Sequence, residues 1–404
     1  MNPLLPLNVC VPDGEARSMP DGRLYLYGSF DIPGKMTYCS DRYHVFSTDK
    51  NDLTDFCDHG VSFTIEEAAK GGFNPRTALF APDCVYRDGK YWLYFCTSDN
   101  REGVAVSDRP EGPFTDATEI VLPHQAIDPA VFVDEDGQAY YFWGQFDLHG
   151  AKLNEDMRSI DASTHCPSLL NEREHGFHEG ASIRRRGDLY YMLYTDVSRG
   201  RATCISYATA ASPLGPYTKQ GVIIDNTGCD PASWNDHGSM ERFGDRWFVF
   251  YHRSSQNSFY SRRACAEEIF FDEAGKIAEV IPTSVGGERA LPTDTDLPAA
   301  VASRMWGEAY SEGETVRNLG GVAVRPEWVE YRSFDLTGVS ALTLTGEGAA
   351  EITVHTEDNE ILAKGTFAGG SLTLPMKPAS GIRPIWICAV GKMTLHTVRL
   401  ETKI

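Results

Sequence analysis

Apolar positions in this chain come in short alternating runs broken at glycine turns, and the same arrangement returns five times. Each unit opens on an acidic or imidazole residue, runs through a short strand pattern, turns, and comes back through an aromatic-rich run. The five units cover 13–29, 83–98, 128–145, 179–196 and 237–254. Their turns hold Asp21-Gly22, Asp88-Gly89, Asp136-Gly137, Gly187-Asp188 and Gly244-Asp245. Such pairs close tight hairpins because Asp and Gly tolerate positive φ. Successive openings lie 70, 45, 51 and 58 residues apart, room for four short strands each. A second echo, Ala105–Phe114 against Ala208–Tyr217, is offset by 103 residues and fits a third strand turning into an outer one. Four strands repeated five times predict an all-β fold, a five-bladed β-propeller. No WD or kelch pattern accompanies it, which argues against the common interaction propellers.

The repeat stops after Val285. Gly286-Gly287 and the stretch Leu291–Pro298 read as a break, so the expected domains are a propeller over 1–288, a linker over 289–300 and a second unit over 301–404. That unit alternates without repeating, as in Ala341–Thr345, Glu351–His355 and Thr394–Leu400. Short strands at this spacing predict a small β-sandwich. Trp306, Trp328 and Trp386 are its candidate sugar platform.

Charge narrows the partners. Lys plus Arg is 37 against 57 Asp plus Glu, a formal net charge of −20. A nucleic-acid backbone or an anionic membrane surface requires the opposite balance. A neutral substrate such as a sugar is compatible with it. No apolar run reaches the length of a membrane span, and Met1–Val11 has no leader pattern. The 10 cysteines are scattered without CxxC spacing, as expected of reduced thiols in a cytoplasmic protein. No Gly-rich nucleotide fingerprint appears, so no organic cofactor is expected.

In a propeller the inner strands line the axis, so residues at one end of them converge. Asp13, Asp83, Asp128, Glu179 and His237 are read at that end. Four carboxylates in one confined site oppose stability, whereas separated carboxylates are what glycoside hydrolysis needs. With the motifs Pro12-Asp13-Gly14-Glu15, Ala81-Pro82-Asp83, Ile127-Asp128-Pro129, Glu179-Gly180 and His237-Gly238-Ser239, the chain resembles glycoside hydrolase family 43 over residues 8 to 285. The resemblance implies a glycosidase of the α-L-arabinofuranosidase or β-xylosidase type, acting by inversion on the ends of plant cell-wall oligosaccharides. It implies Asp13 as general base, with Glu15 as an alternative, Glu179 as general acid and Asp128 as the residue that tunes and holds the acid. It further implies a hydrogen-bonding role for Asp83 at the pocket wall and an arginine near the sugar from the Arg262-Arg263 pair. Alternation allows one of the two inward, and Arg263 is the choice. His237 is expected either to hold a structural calcium at the propeller centre or to tune the carboxylates by hydrogen bonding. His178 alternates away from the axis and reads as structural.

Phe80, Trp92, Trp143, Trp234 and Tyr251 are aromatic candidates, with Phe80 the best placed for the pocket. The stretch Tyr331–Asp335 resembles carbohydrate-binding module family 6. Two other readings stay open: a non-catalytic glycan-binding propeller, and a propeller phosphorylase, which would need clustered cations for phosphate.

Overall fold

The computed structural model describes residues 1–124 and 127–402. Blade one comprises Glu15–Ser18, Leu24–Tyr27, Arg42–Thr48 and Cys57–Thr64, and blade two Asp83–Arg87, Lys90–Cys96, Glu102–Ser107 and Thr115–Glu119. Blade three comprises Ala130–Val133, Ala139–Trp143, Asp147–Lys152 and Cys166–Asn171, and blade four Phe177–Arg186, Leu189–Asp196, Cys204–Ala210 and Thr218–Asp225. Blade five has three strands, Ser239–Phe243, Arg246–Ser255 and Ser258–Ile269. Strand order within every blade is sequential and antiparallel. Each inner strand touches the inner strand of the next blade, and blade five returns to blade one, so the ring closes. A parallel bridge between Gly14 and Gly238 ties that seam. The N-terminal segment lies along the outer strand of blade five, where the Leu4 N–H donates to Ala264 O at 2.9 Å.

The aromatic runs explain why the blades stack. Alternate residues of a strand face opposite sides, and here each side is a neighbouring blade. Leu24 and Leu26 pack toward blade five, whereas Tyr25 and Tyr27 pack toward blade two. Phe142 and Tyr140 face blade four, while Tyr141 and Trp143 face blade two. In blade five, Phe250 and Phe248 meet blade one and Tyr251 and Val249 meet blade four. Trp143 and Tyr251 are therefore inter-blade packing, not sugar platforms. Trp92 packs beside the same cluster as Trp143, with Arg158 over its ring.

The second unit is one nine-stranded, nearly closed sheet rather than more blades. Its long strands Val339–His355 and Ile382–Thr402 pair along most of their length and bend around a core that includes Leu342, Val354, Ile387 and Leu395. The stretch 289–300, expected as a linker, is packed, because Leu291, Leu297 and Ala299 belong to this same core. Trp306 and Trp328 lie parallel with centroids 6.1 Å apart, and Trp386 follows at 6.2 Å.

Candidate active site

The sheet register sets which side chains reach the axial end. Asp13 and Asp128 sit two residues before the strands that begin at Glu15 and Ala130, and His237 two before Ser239. Both aspartates have positive φ, 58° and 63°. That region is uncommon for a side-chain-bearing residue, with Asp among the most tolerant, and such strain gathers at functional sites. Glu179 lies inside the inner strand of blade four at a register shift. Gly180 follows it with φ 67°, and a Cβ there would approach His237 and Thr195 to 2.8 Å.

Asp13, Asp128, Glu179 and His237 line a single cavity of about 270 Å³, together with Phe80, Ala81, Trp234 and Arg262. Asp13 is fixed from several sides. Its Oδ2 accepts from Ser29 Oγ at 2.6 Å and its Oδ1 from Arg262 Nη1 at 3.0 Å. Its backbone N–H donates to His252 Nδ1 at 3.4 Å. Burial would raise its proton affinity, but Arg262, then His237, His252 and Ser29, outweigh that and hold the carboxyl below its ordinary value. Asp13 is therefore an ionised carboxylate aimed at the cavity.

Asp128 differs. Burial first, then the charges of Glu179 and Asp13, push its proton affinity well up. Facing carboxylates in a buried site resist being ionised together. Asp128 Oδ2 accepts from the Gly180 N–H at 3.1 Å, which anchors the backbone beside Glu179. Gln145 Nε2 donates to Glu179 Oε2 at 2.9 Å. His237 Nδ1 stands 3.9 Å from Asp13 and 3.8 Å from Asp128, and burial lowers its proton affinity against the pull of Asp13.

Two expectations need correction. Arg262, not Arg263, reaches the cavity. Arg263 lies on the other face of its strand and points to the second unit, where its Nη2 donates to Gly313 O at 3.1 Å. Alternation allowed one inward arginine but not which. Asp83 is the second case. It is paired within its strand opposite Tyr94, the level of Glu15 opposite Tyr27. Ala81, two residues earlier, occupies the cavity position in blade two. Asp83 instead accepts from Arg17 through Nε at 3.0 Å and Nη2 at 2.7 Å, and from the Val131 N–H at 2.7 Å. Glu15 lies at that deeper level too, where Arg184 Nη2 donates to it at 2.6 Å and Ser182 Oγ at 3.1 Å.

For a calcium at the propeller centre His237 is the candidate ligand, with Asp13 and Asp128 the carboxylates nearest its ring. Calcium prefers oxygen ligands, yet the axial carboxylates Glu15 and Asp83 are already paired with Arg184 and Arg17. Among the described residues no three His, Cys, Asp or Glu side chains are gathered as a metal site would need.

Tyr38, Cys39, Gln145, His178 and Asn235 also line the cavity and were not read as site residues. Tyr38, Cys39 and Asn235 sit in loops outside the repeat and Gln145 in the turn that closes the third unit, so no strand register marks them. His178 is the exception. The register shift beside Glu179 turns it to the rim, where its ring meets Glu172 at 2.8 Å.

The sequence matches the model of "Glycosyl hydrolases family 43" over residues 19–277. It is 32% identical to "Xylosidase/arabinosidase 43A" of Humicola insolens, over 70% of this chain and all of that protein. It is 31% identical to a xylosidase/arabinosidase of Thermoclostridium stercorarium, over 76% of this chain and 72% of that one. Among solved structures, a β-xylosidase/α-arabinofuranosidase from a compost microbial metagenome, held with xylotriose in a calcium-free form, superposes with TM-score 0.60. It is 29% identical and covers 70% of this chain and 97% of its own. An arabinoxylan arabinofuranohydrolase of Bacillus subtilis, 20% identical, shares the fold over all of this chain and 97% of its own at TM-score 0.59. The family match ends before the second unit and lends no support to its likeness to a carbohydrate-binding module. With inner-strand carboxylates converging on one cavity of a five-bladed propeller, the chain belongs to glycosyl hydrolase family 43.

Proposed function

We propose that the protein is an inverting exo-glycosidase that removes terminal α-L-arabinofuranosyl or β-D-xylosyl units from short plant cell-wall oligosaccharides. The observation that carries this is the ionised Asp13 facing the same small cavity as Glu179 and Asp128. A cavity of about 270 Å³ suits a chain end rather than the middle of a polymer. Phe80 and Trp234 supply apolar faces in its wall for a sugar ring.

Asp13 takes a proton from a water molecule, whose oxygen bonds to the anomeric carbon from one face. The glycosidic C–O bond breaks on the other face, and Glu179 gives its proton to the leaving oxygen. Asp128 holds the Gly180 backbone beside the acid. The sole arginine of the cavity wall among the described residues, Arg262, is already shared between Asp13 and Asp31. That pairing leaves it poorly suited to phosphate and favours water over phosphate as acceptor. The ten unpaired cysteines, most of them buried, suit cytoplasmic work on imported oligosaccharides.

A panel of aryl arabinofuranoside, xyloside and galactoside substrates, followed by proton NMR in the first minutes, tests the reading. The expected first product is the inverted anomer of a pentose. Glu179→Ala is expected to cripple natural oligosaccharides while sparing aryl glycosides whose leaving groups need no protonation. A retained anomer would sink the mechanism, since inversion needs carboxyls about 6.5–9.5 Å apart and retention about 5–5.5 Å.

A further inference from the structure

We propose that Asp31, outside the cavity, is a positioning residue that holds the Arg262 guanidinium so that a single N–H reaches the base Asp13. The proposal rests on Asp13 acting as the base. Asp31 has no exposed surface and does not line the cavity. Three of its contacts go to Arg262. Oδ2 accepts from Nε at 2.9 Å and from the Arg262 backbone N–H at 3.1 Å, and Oδ1 accepts from Nη2 at 3.0 Å. Oδ1 also accepts from the Cys39 N–H at 3.0 Å. The Asp31 N–H in turn donates to Cys10 O at 3.0 Å, so the carboxylate is anchored to backbone on both sides.

A guanidinium pairs best with a carboxylate through two parallel N–H bonds. Asp31 takes that two-point edge, leaving Nη1 alone for Asp13 at 3.0 Å. The ring of Tyr38 lies 4.8 Å from the Arg262 guanidinium carbon, and Cys39 Sγ stands 3.6 Å from Nη2. Tyr38, Cys39, Asp31 and Asp13 thus surround the guanidinium, while Ser29, His237 and His252 complete the shell of Asp13. Ser29 and Asp31 come from the same turn after the second strand of blade one. That turn therefore orients both oxygens of the base, one directly and one through Arg262. A base held by one N–H stays ionised yet keeps an oxygen able to take a proton from water. Clamped in a two-point pair with Arg262, it would be a poorer base.

Asp31→Asn keeps the shape and removes the charge. The expected result is a folded protein with kcat/KM on an aryl pentoside lowered about 10²-fold, the usual cost of misplacing a catalytic group by about 1 Å. The acid limb of the kcat/KM profile is expected to move to lower pH as Arg262 closes on Asp13. In an Arg262→Lys background the same substitution is expected to add little, because its effect runs through the guanidinium. An unmoved acid limb, or full additivity with Arg262→Lys, would overturn the proposal. Titration of the ¹³C-labelled Asp13 carboxyl reads the same displacement without any substrate. An unchanged titration overturns the positioning role, whereas a displaced titration in a protein that cleaves no pentoside overturns the functional reading alone.

Discussion

At the residue scale, two neighbouring carboxylates of one motif have opposite work. Asp13 faces the cavity, while Glu15, two residues on, is locked between Arg184 and Ser182. Asp13→Ala is expected to leave the fold intact and cost about 10²–10⁴ in turnover, the range of general-base catalysis. Glu15→Ala is expected to lower the melting temperature instead, because it removes one of the two carboxylates that hold the buried Arg184 guanidinium. Turnover per folded molecule measures the difference, and a larger catalytic loss in Glu15→Ala would transfer the base role. The depressed proton affinity of Asp13 also sets a pH trend. Its stabilising contribution is present above the ordinary aspartate range and is lost as pH falls through the lower, folded value. The acid limb of kcat/KM is expected below the ordinary carboxylate range for the same reason. The choice between Asp13 and Glu15 was open in the sequence, since both follow one proline in one strand-entry motif. The register of a single hairpin decides it.

At the element scale, the second strands of the blades carry both neighbours' packing, and the third strand of blade two carries a buried acid. Glu102, on the third strand of blade two, accepts from the Tyr141 hydroxyl of blade three. Burial pushes its proton affinity up to about 8, with the hydroxyl opposing. A raised folded value stabilises fully below the ordinary 4.5 and loses that contribution as pH rises toward about 8. Glu102→Gln is expected to keep an acceptor for Tyr141 and remove the trend. Unfolding by denaturant at pH 5 and pH 8 should then show a flatter stability in the variant, and an equal slope in both proteins would refute this account. The hairpin turns were legible because their chemistry is local: Asp88 and Gly89 both take the positive φ that a tight turn demands, 53° and 80°. The side each strand residue faces was legible only as alternation. Which of Arg262 and Arg263 points inward depends on how blade five meets its neighbours, not on the strand itself.

At the scale of the whole molecule, the second unit closes over groups that the propeller cannot satisfy. Arg263 is buried and reaches Ser311 and Gly313, and the Gln256 N–H donates to Ser311 O at 2.7 Å. Arg263→Met is expected to change the melting temperature while leaving KM for small pentosides unchanged. A KM rise as large as that of Arg262→Ala would return Arg263 to the site. The axis itself is held by the Arg17–Asp83 and Arg184–Glu15 pairs. Exhaustive chelation is therefore expected to leave the melting temperature unmoved. One retained equivalent of calcium together with a fall of several degrees on its removal would show that an ion holds the blades after all.

The repeat, its turns and its aromatic runs determined by themselves that five antiparallel blades form and that Asp13, Asp128, Glu179 and His237 open four of them. Those features depend on neighbours within a few residues, where turn geometry and side-chain alternation act. The tertiary structure alone decided that Ala81 rather than Asp83 stands at the cavity, that Arg262 rather than Arg263 meets the base, and that Asp31 stands behind it. Each of those outcomes joins residues more than sixty positions apart or turns on a two-residue offset between blades. A shift of one residue reverses the face that a strand side chain presents, and no local pattern reports the offset at which five separate hairpins meet around one axis.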